Sequence, residues 1–158
     1  MTQIEDLQSL AQRIPNGAKV ALAPDYSWVP MALVRELIRG GVKNLNLLAV
    51  PIGGMATDLL IGAGAVGSLE AAAVSLGEAG PAPRFTEAVE TGALPMRDST
   101  CPAIHTTLQA SEKGVPFMPL GGLIGSDLVE NRPDWKVIDD PLGEGPGTGG
   151  GPIVLLPA

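Results

Sequence analysis

The chain has 158 residues, enough for one domain with a real core, and that core must be aliphatic, since 45% of residues are hydrophobic but only 3% aromatic. Its 17 acidic against 10 basic side chains leave a formal charge of −7. With no Lys/Arg cluster to offset that charge, neither nucleic acid nor an anionic membrane is an expected partner.

Cys101 is the only cysteine, so no internal disulfide is possible, and a cytoplasmic location is expected. Residues 1–6 are acidic and lack a basic region ahead of an apolar run, so no signal peptide is expected.

Ile4, Leu7, Leu10, Ala11 and Ile14 recur at helical spacing and predict a first amphipathic helix, stopped by Pro15-Asn16-Gly17. Residues 19–23 are short and apolar and predict a buried strand. Pro24 ends it, and Ser27 is placed to cap a helix beginning near Pro30. That helix carries Leu33, Val34, Leu37 and Ile38 on one face and stops at Gly40-Gly41.

Residues 45–50 predict a second buried strand, Pro51-Ile52-Gly53-Gly54 a strand-to-helix loop, and residues 55–61 a short helix. The apolar stretch 45–66 is broken by Pro51, Gly53-Gly54 and Asp58, so it is not a membrane span. Residues 66–76 are apolar and ambiguous, with a strand over part of them. Pro83 opens another helix, which Gly92 ends.

Residues 102–113 predict a helix with Pro102 in its first turn. Residues 115–119 predict a strand, and 121–127 a loop. Alternating strands and helices of this kind predict an α/β fold: an open, mostly parallel sheet with helices on both faces.

The C-terminal end is different. Residues 142–152 hold six glycines and two prolines and read as a linker or a loop of functional use. Residues 153–158 then read as a terminal strand that must pair either in this sheet or with another chain. The expected organisation is therefore a domain over 1–141, a linker over 142–152 and a strand over 153–158.

Several signals have bland and functional readings. Gly62, Gly64 and Gly67 spell G-x-G-x-x-G, with Glu87 about 20 residues on. That fingerprint needs a strand entering and a helix leaving, whereas here a helical run enters and an apolar, extended run leaves. Among 21 glycines it reads as coincidence, and dinucleotide binding is rejected.

Gly53-Gly54 and the loop Gly121-Gly122-Leu123-Ile124-Gly125-Ser126-Asp127 both follow predicted strands. Open sheets bind ligands at strand carboxyl ends, where glycine admits a ligand close to the backbone. Spacing alone does not separate this reading from ordinary turns. His105 has no second ligand at metal spacing, so no metal site is expected. Cys101 is either a nucleophile activated at a helix start or an inert buried thiol, and the inert reading is preferred.

The segment Gly114-Val115-Pro116-Phe117-Met118-Pro119, followed by Gly125-Ser126-Asp127-Leu128, resembles the glutaconate CoA-transferase type of α subunit in family I of the CoA-transferases. That family shows G-L-P-F-x-P and then G-S-D. Pro30 to Gly41 with Asn44-Leu45, Gly53-Gly54 with Asp58 to Gly62, Arg84-Phe85, and Ile138 to Pro141 match in the same order, so the resemblance spans about residues 15–141.

The resemblance implies a heteromeric enzyme that moves CoA between carboxylic acids. Coenzyme A and its acyl esters are substrates in such enzymes, and no tightly bound cofactor is expected. A glutamate of a β-type partner subunit would attack the acyl-CoA, while this chain shapes the acyl pocket and oxyanion hole. On this reading Gly53, Gly54, Ser99, Thr100, Gly125, Ser126 and Asp127 are candidate substrate or CoA contacts, and Cys101 is the candidate catalytic position.

The chain departs from the family at Cys101. Transferases carry Gln thirteen residues before the Gly of G-L-P-F, and a ring-cleaving hydrolase branch carries Glu there. Family subunits also continue well past the strand resembling 153–157. The alternatives are a CoA-ester hydrolase or C–C cleaving relative, and a non-catalytic remnant that binds a partner.

Overall fold

A computed structural model describes residues 5–143 and 150–158; Ile4, expected in the first helix, and residues 144–149 of the expected linker lie outside them. The chain divides between Arg97 and Asp98 into two compact units.

The first unit opens with α1 (Leu7–Gln12), shorter than the apolar spacing suggests because Asp6 caps it: its carboxylate accepts from Ser9 N at 2.8 Å. The unit continues through β1 (Lys19–Leu22), α2 (Met31–Arg39), β2 (Leu45–Ala49), β3 (Ile52–Gly53) and α3 (Met55–Gly62). Then come β4 (Val66–Ala71), β5 (Ala73–Val74), a 3-10 turn at Gly77–Ala79, α4 (Pro83–Glu90) and β6 (Met96–Asp98).

The main sheet runs β1-β2-β4-β6. β1 and β2 are parallel, with Val20 opposite Leu47, and β2 and β4 are parallel, with Leu47 opposite Leu69. β3 and β5 form a second, small parallel pair. β2 buries Leu45, Leu47, Leu48 and Ala49, the near-continuous apolar run of a strand covered on both sides. Val34 and Leu37 of α2 and Leu60 of α3 complete the aliphatic core.

Two local expectations need correction. Ser27 does not cap α2. Its backbone N–H donates to Pro24 O at 2.8 Å, and Trp28, at φ 59°, turns the chain so that Pro30 takes the cap position. The ambiguous run 66–76 holds two strands, β4 and β5, on different sheets. The rejected fingerprint is a packing feature: Gly62 ends α3, and Gly67 lies in β4, where a Cβ would stand 3.0 Å from Asn44 Cα.

α4 shows how the two halves of this unit are tied. Its N-cap residue is Ala82, which has no polar side chain. The buried Asp58 of α3 supplies the cap instead, accepting from Arg84 N and Phe85 N, each at 2.9 Å. Asp58→Ala is expected to lower stability by about 1–2 kcal/mol, the loss of a cap with two donors stranded. Asp58→Asn, which keeps an acceptor, should lose less in urea denaturation. Equal losses would show that charge, not acceptance, is what α4 needs.

The second unit contains α5 (Cys101–Lys113), β7 (Phe117–Leu120), α6 (Asp127–Asn131), β8 (Lys136–Asp139) and β9 (Pro152–Pro157). Its sheet is antiparallel, ordered β7-β9-β8, so the parallel reading does not extend here. The terminal strand pairs within its own chain as the central strand, because Ile153, Val154 and Leu156 are buried there against Ala103, Leu123 and Trp135 or their neighbours. α6 and β8 have no counterpart in the sequence reading. Among the described residues no helix is long and apolar enough to cross a membrane.

Candidate functional site

In the first unit a cleft of about 450 Å³ opens at the carboxyl ends of β1, β3 and β5. Asp25, Tyr26, Gly53, Gly54, Ser75 and Leu76 are among the residues that line it. This is where an open parallel sheet gathers its loops. Asp25, just past β1, accepts from Met55 N at 2.6 Å and so caps the start of α3.

Gly53 and Gly54 therefore stand on the cleft wall, but their lack of a side chain also has internal reasons. A Cβ at Gly53 would lie 2.8 Å from Thr57 Oγ1, and one at Gly54 would overlap the Asp25 carboxylate. Ser75 Oγ accepts from Gly77 N at 3.1 Å, which closes the far side of the cleft.

In the second unit Ser99, Thr100 and Cys101 form the entry to α5. Thr100 caps the helix, its Oγ1 accepting from Ala103 N at 3.2 Å. Cys101 is the first helical residue and half-buried, and Pro102 follows it without an N–H. Within the first turn this leaves the Cys101 N–H as the backbone donor that no group among the described residues takes. Ser99 is buried, and its Oγ has no hydrogen-bond partner among the described residues.

The entry is held from behind by a residue the sequence reading misses. Arg132 is buried, its Nη1 donates to Asp98 O at 2.9 Å, and its Nε and Nη2 donate to the two Asp134 oxygens at 3.0 Å each. The guanidinium also stacks 4.4 Å from the Trp135 ring centroid. The only cue in sequence is the cluster Arg132-Pro133-Asp134-Trp135.

The Gly121–Asp127 segment shares a core with α5 through Leu123 and Ala103. Gly125 has φ 84° and nothing in the chain within 4 Å of a notional Cβ, so its glycine is required by backbone conformation. Ser126 Oγ donates to Leu123 O at 2.7 Å, while Asp127 is exposed at the first position of α6. His105 is exposed on α5. Among the described residues no three His, Cys, Asp or Glu side chains are grouped to hold a metal.

These features define an α/β chain with a glycine-turn cleft in one unit and a half-satisfied helix start in the other. No protein-family model matches it. The chain is 32% identical over 146 residues to the A-type subunit of 3-oxoadipate CoA-transferase from Pseudomonas knackmussii, spanning 90% of this chain and 51% of that one.

It is 36% identical over 101 residues to the cholesterol ring-cleaving hydrolase IpdA subunit of Rhodococcus jostii, covering 63% and 33% of the two chains. Its fold matches the crystal structure of glutaconate coenzyme A-transferase from Acidaminococcus fermentans with a TM-score of 0.84 at 26% identity, over 99% of this chain and 53% of that one. In sequence and in fold the chain is similar to the A-type subunits of CoA-transferases. It spans about half the length of the curated relatives it matches.

Proposed function

We propose that this chain is an A-type (α-type) subunit, or the N-terminal part of one, of a heteromeric enzyme that moves CoA between carboxylic acids in the cytoplasm. The observation that carries this reading is the 32% identity to the A-type chain of a CoA-transferase over 90% of this one. Acyl-CoA and a carboxylic acid are the substrates, a β-type subunit is the partner, and no tightly bound cofactor is involved.

A glutamate of the β-type partner attacks the acyl-CoA carbonyl, and charge gathers on the carbonyl oxygen. A carboxylate is a weak nucleophile, so preorganised donors at that oxygen lower the barrier. The α5 entry supports this role for the chain: the Cys101 N–H is the donor it offers, and Thr100, which accepts from Ala103 N, holds the turn that presents it, while the Ser99 hydroxyl is buried behind it. Gly53 and Gly54 in the first unit and, separately, the Gly125–Asp127 turn in the second are the backbone segments offered for acyl or CoA contacts.

A second reading, a CoA-ester hydrolase, is favoured by the 36% identity to the ring-cleaving hydrolase subunit. Position 101 carries neither the Gln of transferases nor the Glu of that branch.

The test is thioester trapping on the co-purified complex. With acyl-CoA alone, a transferase should accumulate a CoA thioester on the partner's glutamate, seen by mass spectrometry, and release it on addition of an acceptor acid. Steady hydrolysis without an acceptor would establish the second reading. An inert complex would make the chain a binding remnant. The isolated chain should turn over nothing, and activity of the purified chain alone would end the proposal.

A further inference from the structure

We infer that Asp25 makes the first-unit cleft a site for an uncharged acyl chain and bars acyl groups that carry a second carboxylate. The inference rests on the reading above that Gly53 and Gly54 line the acyl contacts. An open α/β cleft ordinarily offers an anion the free N–H groups at the start of the following helix. Here a carboxylate of the chain already sits at that place: Asp25 Oδ2 accepts the first of those groups, the Met55 N–H, at 2.6 Å, and a Cβ on Gly54 would overlap the carboxylate.

Among the described residues no lysine, arginine or histidine lines the cleft. Pro24, Ile52 and Leu76 give it apolar walls, and Ser75 Oγ already accepts from Gly77 N. A distal carboxylate entering this space would meet no cation among the described residues and would face the charge of the exposed Asp25. An aliphatic chain can lie along the apolar walls, and the volume of about 450 Å³ admits a short acyl group with room to spare. Asp25 is thus a specificity residue, and the acyl groups it admits are those of monocarboxylic acids.

The test compares butyryl-CoA with glutaryl-CoA in the complex of the chain with its β-type partner. The native complex should favour butyryl-CoA in kcat/KM by at least about tenfold, the effect of one nearby like charge at intermediate dielectric. Asp25→Asn keeps an acceptor for Met55 N but removes the charge, and should shift the ratio toward glutaryl-CoA by about tenfold. A native preference for glutaryl-CoA, or a ratio that Asp25→Asn leaves in place, would overturn the inference.

A complex that turns over neither ester would sink the proposed function, and a second measurement then decides this point alone. In NMR titrations of the full chain, butyryl-pantetheine should move the Gly53, Gly54 and Met55 amides, and glutaryl-pantetheine should move them only in Asp25→Asn. Equal response of the native chain to both ligands, or to neither, would refute the role of Asp25.

Discussion

Cys101→Gln, in the complex with the β-type partner, is expected to raise acyl-CoA turnover by up to about 10²-fold, the scale of one oxyanion donor gained. Cys101 is the first residue of α5, half-buried, beside a hydroxyl with no partner and ahead of a proline with no N–H. A thiol is a weak donor, whereas a glutamine amide supplies two good ones from the same backbone position. Stopped-flow or steady-state rates on matched complexes measure the gain.

A rate that falls with Cys101→Gln while the complex stays assembled would mean that the site is shaped around the smaller side chain. Cys101→Ala addresses the opposing idea that the thiol is the nucleophile, which predicts complete loss and inactivation by iodoacetamide. The structure favours the first view. His105 lies one turn along α5 but is exposed, and no hydrogen bond joins it to the thiol.

Arg132→Met is expected to destabilise the chain by about 3 kcal/mol in urea denaturation, the low end of the range found when one partner of a buried ion pair is removed, because Asp134 is partly exposed. The substitution breaks three hydrogen bonds and leaves the Asp98 carbonyl and one face of Trp135 without their guanidinium. Arg132→Lys should recover little, because an ammonium cannot hold both Asp134 oxygens and the carbonyl in one plane. Amide exchange at Ala103, whose N–H is tied to Thr100, should speed up in both variants, since Arg132 anchors the backbone just ahead of that cap. A loss under about 0.5 kcal/mol would show that water replaces the arginine at no penalty.

α5 was legible because its signals are local. Thr100 caps it, Pro102 sits in the first turn, and Gly114 ends it at φ 66°. β1 and β2 were legible as short apolar runs between turns, and the family resemblance rested on G-V-P-F and G-S-D, which lie in β7 with its approach and at the start of α6. β6 and β8 were not, for they are three and four residues long, and every residue of β8 is exposed, so no period of two marks it.

The sequence alone determined the aliphatic core, the presence of α2 to α5 with the prolines and glycines that bound them, the strands β1 and β2, the rejection of the dinucleotide fingerprint and the resemblance to CoA-transferase subunits. Each is written in neighbouring residues or in a motif. Only the tertiary structure decided that Asp25 caps α3 from 30 residues away, that Asp58 caps α4 from 26, and that Arg132 holds the α5 entry from 34. It also decided that the terminal strand enters an antiparallel sheet between β7 and β8. A side chain's choice of a distant backbone partner depends on which polar groups the fold leaves unsatisfied, and that is settled only when the elements have packed.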